Sequence, residues 1–138
     1  SSAASDVYKR QDQPPFRRLK EVLNSNGIVC LLGERDLSGR GVPVTFFGEE
    51  TTMPVGPAKL AVETGAELLV VHSWFTRRSD GPGWALRASP PIEVTDVAST
   101  TQRVADGFAA NIAQHPEDWH MLQPLWSADR PQRRRRKP

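Results

Sequence analysis

Three consecutive charged residues, Glu34, Arg35 and Asp36, follow an apolar run and are the first candidates for chemistry. Two further carboxylates, Glu49 and Glu50, come after a second apolar segment. Carboxylates beside an arginine can orient a histidine base, or they can grip a polyol or a phosphate group. A salt-bridged surface turn is the alternative, because loops are usually charged. The residues by themselves leave both interpretations open.

The elements that would position these charges follow from the hydrophobic pattern. Residues 28–32 form a continuous apolar run bounded by glycines, which is typical of a strand buried on both faces. The charges at 34–36 would then lie at the carboxyl end of a strand, where open α/β sheets place their sites. Glu49 and Glu50 would share that edge if the two strands are neighbours. Further strands are predicted at 42–47, 68–75 and 84–88, and helices at 16–23, 58–63 and from 99 to about 115.

The order of strand 42–47, helix 58–63 and strand 68–75 predicts a βαβ unit. The polar stretch between 77 and 83 predicts a hairpin that brings strand 84–88 beside strand 68–75. The expected fold class is therefore α/β, with a mostly parallel sheet covered by helices. Cys30, the single cysteine, lies inside the first apolar run and is expected to be a small buried hydrophobe in a reducing compartment.

Charge divides the chain into parts. Residues 1–129 carry 12 basic and 16 acidic side chains, whereas residues 130–138 add six basic side chains and no acid. The tail is expected to be disordered, and it is either merely solvated or attracted to an anionic membrane face. No nucleic-acid partner is expected, because the body lacks a basic stripe interleaved with aromatic residues. Residues 1–11 resemble a translated adaptor and are expected to be a non-native leader, which leaves 12–129 as the domain.

Several common sites are missing from the sequence. It has no glycine-rich phosphate loop, no nucleophile elbow, no dinucleotide fingerprint and no Cys/His metal spacing, so no metal site is expected. His72 falls within a predicted strand, which favours a packed histidine over a base. His115 and His120 are expected at a helix end or on the surface.

The combined motifs resemble a known family. In order they are an apolar run, Gly-Glu-Arg-Asp, Phe-Phe-Gly-Glu, Met-Pro-x-Gly-Pro-Ala-x-Leu-Ala, Thr-Gly-Ala and His-Pro-Glu-Asp-Trp, followed by Trp126. From about residue 14 to residue 130 this order is similar to the C-terminal part of the bacterial lipid A biosynthesis (late) acyltransferase family. Within that family, it most resembles the actinobacterial phosphatidylinositol mannoside acyltransferases.

The resemblance implies a partial glycerolipid-acyltransferase-like fold and a peripheral enzyme at the cytoplasmic face of the plasma membrane. Such an enzyme moves a fatty acyl group from acyl-CoA, a co-substrate rather than a cofactor, to a sugar hydroxyl of a phosphoinositide glycolipid. The family's base is the histidine of a His-x-x-x-x-Asp/Glu motif, and none of the three histidines here has an acid five residues later. The resemblance thus implies a C-terminal fragment that is inactive by itself.

By the same resemblance, Glu34 is the supporting acid, and Arg35, Asp36 and Glu49 are expected at the substrate. Trp119 and Trp126 are expected to pack against the C-terminal helix. The competing interpretation is a non-catalytic α/β module that binds anionic membranes through its basic tail.

Overall fold

The computed structural model of the chain describes residues 15–129. The expected leader at 1–11 and the basic tail at 130–138 lie outside the described residues and stay predictions. The helices are α1 (Pro15–Asn24), α2 (Gly56–Thr64) and α3 (Val97–Ile112), and the strands are β1 (Val42–Phe46), β2 (Glu49–Met53), β3 (Val71–Arg78) and β4 (Gly81–Ala88). Short 3₁₀ turns follow at Pro116–Asp118 and Ser127–Asp129.

All three predicted helices are present, with boundaries set by local chemistry. Pro57 lies in the first turn of α2, where its missing N–H costs nothing. The helix ends at Gly65, which adopts the left-handed conformation with φ 72°. Asp96 caps α3 by accepting a hydrogen bond from the Ser99 backbone N–H at 2.9 Å.

Strands β1 and β2 form an antiparallel hairpin that the sequence pattern did not predict. Phe46 pairs with Glu49, so the loop between the strands is the two residues Phe47 and Gly48. Both have positive φ, 52° and 79°, as in the two-residue turns whose backbone matches the right-handed twist of the flanking strands. Phe47 is an unusual residue at such a position, and the turn was therefore not recognised from the sequence.

Strands β3 and β4 form the second hairpin, and here the prediction is confirmed. Arg78 pairs with Gly81 across a two-residue turn at Ser79 and Asp80, and Val71 pairs with Ala88 at the other end. Side chains alternate between a half-buried inner face and an exposed outer face along both strands. The inner face is the one directed towards α3, where Val70 approaches Gly107.

The prediction of a mostly parallel sheet is wrong for the described residues. The strands form two separate two-stranded antiparallel sheets, β1 with β2 and β3 with β4. The chain turns back at Phe47 and Gly48 before it reaches α2, so α2 connects β2 to β3 without making them sheet neighbours. The fold is mixed α/β without the predicted βαβ unit.

Residues 28–32 are not the predicted buried strand. They run without regular secondary structure, and Ile28 and Leu32 are 87% and 93% exposed. Cys30 is exposed as well, contrary to the expectation of a buried thiol. A strand that is buried on both faces needs neighbouring strands and covering layers, and residues 15–129 supply neither to this run.

The core lies between the first hairpin and α3. Side chains from β1 and β2 meet Ala105 and Ile112 of α3, and Leu125 closes the cluster from the C-terminal segment. The indole N–H of Trp126 donates a hydrogen bond of 3.0 Å to the carbonyl of Phe46. Trp119 packs edge-on against Phe46 with ring centroids 6.0 Å apart. Both tryptophans thus pack into the cluster that holds α3, as the resemblance implied.

Candidate functional site

Residues 34–36 are called the charged turn. Glu34 is half-buried and lines a small cavity of about 140 Å³ between this turn, β3 and α3. Gly33 allows this placement because it lies close to α3. A Cβ at position 33 would lie 3.3 Å from the ring of Phe108, so a larger residue would push the turn away from the helix. The other residues that line the cavity are Val71, His72, Ser73, Phe108, Ile112 and Trp119.

Two ring nitrogens at this cavity lack hydrogen-bond partners. Nε2 of His72 and Nε1 of Trp119 are both buried, and neither is bonded within the described part of the chain. Buried polar atoms are almost always paired, so two unpaired ones in neighbouring side chains are unusual. The indole N–H can only donate, whereas the Glu34 carboxylate accepts when ionised. Both ring nitrogens are closed to solvent, so they do not by themselves define a ligand for the cavity.

His72 lies within a stack of rings on the inner face of the second hairpin. Its ring centroid is 5.5 Å from Trp74 and 5.8 Å from His115, and Trp74 stacks on His115 at 4.6 Å. Desolvation lowers the pKa of His72 below 6.5, and electrostatic repulsion from His115 and Arg87 lowers it further, against the opposing effect of the Asp118 carboxylate. The imidazole is therefore held neutral near pH 7, as expected for a packed histidine.

Asp36 organises the loop that follows the charged turn. One carboxylate oxygen accepts from Ser38 N–H, Ser38 Oγ and Gly39 N–H at 3.1, 2.8 and 2.9 Å. The other accepts from Gly41 N–H at 2.7 Å and from Thr52 Oγ1 at 3.0 Å. Burial alone would raise the pKa of Asp36, but these hydrogen bonds outweigh it and lower the pKa to about 2. The carboxylate is thus fully engaged in holding the loop against β2.

Arg35 points away from the loop that Asp36 holds. Its Nη2 donates a hydrogen bond of 3.0 Å to Oε1 of Gln123, and the residue is exposed. The contact joins the charged turn to the C-terminal segment that also carries Trp119 and Leu125. Glu34 and Arg35 therefore lie on one turn but have different surroundings, a cavity for the first and a surface bridge for the second.

Glu49 is the first residue of β2, where it pairs with Phe46, and it is exposed together with Glu50. The expected shared edge required a strand at 28–32, which is absent. Neither carboxylate lines the cavity of Glu34. The predicted roles of Glu34, Arg35, Asp36 and Glu49 in catalysis or substrate binding stay predictions.

A second, larger groove of about 440 Å³ lies between the end of α2 and residues 91–95. Glu67 is its one ionisable lining residue, and the rest are small or apolar. A lone carboxylate in an open groove suggests no reaction, so the smaller cavity is the better candidate. Among residues 15–129, no group of three or more His, Cys, Asp or Glu side chains is placed to hold a metal ion.

Comparison with known proteins identifies the family. The sequence profile described as "Bacterial lipid A biosynthesis acyltransferase" matches residues 2–128. This chain belongs to that family. The acyltransferase resemblance inferred from the motifs is thereby confirmed.

Curated relatives of this acyltransferase family member carry a more specific name. A phosphatidylinositol mannoside acyltransferase of Mycobacterium tuberculosis is 57% identical over 126 residues, which is 90% of this chain and 39% of the relative. A protein of the same name from Mycolicibacterium smegmatis is 54% identical over 126 residues, which is 90% of this chain and 40% of the relative. The chain thus spans about two fifths of the length of the curated relatives it matches.

Sequence reasoning about this acyltransferase family member did not foresee the arrangement around Glu34. His72 was interpreted as a packed residue and Trp119 as a helix-packing residue, and each description is correct as far as it goes. The sequence does not predict that both residues line the cavity of Glu34. Strand alternation places His72 on the inner face of β3, but nothing in the sequence aligns that face with the charged turn.

Proposed function

We propose that this chain is the acceptor-side part of an acyltransferase that moves a fatty acyl group from acyl-CoA to a sugar hydroxyl of a mannosylated phosphoinositide. The observation that carries the proposal is the half-buried Glu34 in a cavity that His72 and Trp119 also line. Family membership and the names of the relatives support the reaction class and the glycolipid acceptor.

In the proposed reaction, a histidine base from outside this chain takes the proton of the acceptor hydroxyl as its oxygen attacks the thioester carbonyl. Glu34 orients the imidazole and stabilises the imidazolium that forms. Collapse of the tetrahedral intermediate breaks the carbon–sulfur bond, and the leaving CoA thiolate takes from the imidazolium the proton that came from the acceptor hydroxyl. His72 and Trp119 line the same cavity as Glu34, and the proposal is that a sugar of the acceptor lies beside them.

The proposal includes inactivity of this chain by itself, because its sequence has no His-x-x-x-x-Asp/Glu motif. General-base help contributes about 10²–10⁴-fold to a rate. The test measures acylation of a mannosylated phosphoinositide by acyl-CoA. We expect no turnover above a heat-inactivated sample for this chain, and turnover when it is joined to the portion of the M. smegmatis relative outside the matched region.

Within the joined protein, Glu34→Gln removes the carboxylate charge and is expected to lower kcat by about 10²-fold or more. Glu21→Gln, at an exposed position on α1, is the matched control and should leave kcat unchanged. Equal activity of the two variants would refute the role of Glu34. Turnover by the 138-residue chain alone would refute the proposed inactivity.

We also place this protein at the cytoplasmic face of the plasma membrane as a peripheral enzyme. No helix among residues 15–129 is long and apolar enough to cross a membrane. The six basic residues at 130–138 support attraction to anionic lipid, which is worth about 1 kcal/mol for each charge near the surface. Co-sedimentation with anionic vesicles should weaken when residues 130–138 are deleted, and unchanged binding would reject this role for the tail.

A further inference from the structure

The outer face of the second hairpin is apolar and uncovered. Val71 and Phe75 on β3 and Trp84 and Leu86 on β4 are 52%, 62%, 74% and 71% exposed. Phe75 and Trp84 are cross-strand partners with ring centroids 4.8 Å apart, so their two rings are in contact. The solvent face of an antiparallel hairpin is normally polar, and a large exposed apolar patch marks an interaction surface.

A second uncovered surface is the extended run at residues 28–32. Ile28, Leu31 and Leu32 are 87%, 42% and 93% exposed, and these residues belong to neither sheet of the described structure. Glu34, two residues later, lines the same cavity as Val71, which belongs to the outer face of the hairpin. Each surface thus has a member or a near neighbour among the residues that line this cavity.

The chemistry of the run at 28–32 distinguishes between a protein and a lipid as its occupant. Lipid tails can cover apolar side chains, but they offer no hydrogen bonds to backbone N–H and C=O groups. A neighbouring polypeptide strand can satisfy both kinds of group. About three fifths of each relative lies outside the matched region, which is enough chain to cover both surfaces.

We infer that residues 28–32 and the outer face of the hairpin together form the docking surface for the portion of the acyltransferase that the relatives carry outside the matched region. Docking adds a backbone partner to residues 28–32 and covers Phe75 and Trp84. It also brings the incoming portion to the mouth of the Glu34 cavity. The inference rests on family membership and does not depend on the proposed reaction, because binding and not turnover is measured.

The test co-expresses the 138-residue chain with a tagged copy of the outside portion of the M. smegmatis relative and measures how much of the chain is retained with the tag. We expect co-purification, with slowed hydrogen exchange at residues 28–32. Trp84→Glu and Leu32→Glu should each lower retention at least tenfold. Leu122→Glu is the matched control, since Leu122 is 93% exposed and belongs to neither surface, and it should retain the partner.

Equal retention of Trp84→Glu, Leu32→Glu and Leu122→Glu would overturn the inference. If the chain alone instead binds anionic vesicles and Trp84→Glu abolishes that binding, the surface takes lipid and the inference is also overturned. If the outside portion is insoluble when expressed separately, the two are joined in one chain. Hydrogen exchange at 28–32 must then be slower in the joined protein than in the 138-residue chain, and equal exchange would refute docking.

Discussion

Replacing Asp36 by asparagine tests whether its carboxylate, more than any sheet contact, fixes the loop after the charged turn. The side chain accepts five hydrogen bonds, three at one oxygen and two at the other. An amide keeps one accepting oxygen but replaces the other with an NH₂ group, which can only donate. The Gly41 N–H would then face a second donor in place of its acceptor at 2.7 Å.

The loss of unfolding free energy in Asp36→Asn can be worked out from the lost hydrogen bond or from the shifted pKa. Leaving the partly buried Gly41 N–H unpaired costs about 1–3 kcal/mol. The lowering of the Asp36 pKa from 3.8 to about 2 corresponds to at most about 2.5 kcal/mol, which solvent screening of this half-buried group reduces to about 1 kcal/mol. Both routes describe the same hydrogen bonds and are not added. We expect Asp36→Asn to lower the free energy of unfolding by about 1–3 kcal/mol near neutral pH.

The pH dependence follows from the direction of the shift. Because the pKa is lowered on folding, the stabilisation is complete above the unfolded value of 3.8 and is lost as the pH falls through about 2. The difference between the wild type and Asp36→Asn in urea unfolding should therefore shrink between about pH 4 and about pH 2. The control is Asp80→Asn, because the Asp80 side chain is 74% exposed and forms a surface ion pair with Arg78. This substitution should change stability by less than about 1 kcal/mol. Equal stability of the wild type and Asp36→Asn near neutral pH would refute the reasoning. A stability difference that stays constant on acidification would refute it as well.

Three further perturbations test the core and the ring stack. Met53→Ala removes a fully buried side chain and should cost about 2–5 kcal/mol in urea unfolding, whereas Leu122→Ala, at a 93% exposed site, should cost little; similar losses would contradict the described core. Trp126→Phe keeps most of the packing but loses the hydrogen bond to the carbonyl of Phe46, for an expected cost of about 1 kcal/mol. Because the pKa of His72 is lowered on folding, its contribution to stability is present above pH 6.5 and declines as the pH falls below that value. NMR titration of the His72 imidazole should therefore give a pKa below 6.5. A pKa at the ordinary value would contradict the described ring stack.

The helices and the second hairpin could be predicted from the sequence because their signals are local. Helix α2 carries a proline in its first turn and Gly65 just after its end, and the polar turn at Ser79 and Asp80 separates two alternating runs. Each signal acts over a few residues and does not require the rest of the fold. The place of Glu34 after an apolar run is also a local signal, and its role stays a prediction.

The pairing of the strands could not be predicted correctly from the sequence, because it depends on contacts between residues that are far apart along the chain. An apolar run such as 28–32 indicates burial, but it does not say which chain provides the burial. Phe47 is not a typical residue for positive φ, so the turn that makes β1 and β2 antiparallel gave no signal. The cavity around Glu34 joins residues from the turn, β3, α3 and the C-terminal segment, and no local pattern relates these four.

The exposure of Cys30 has a practical consequence for work on this protein. Its thiol is the one cysteine of the sequence and lies in the middle of the uncovered apolar run. Chains kept without a covering partner and without a reductant are exposed to oxidation and can link into disulfide dimers. The same thiol offers an intrinsic chemical reporter, because its rate of reaction with a maleimide measures the fraction of chains in which residues 28–32 are open.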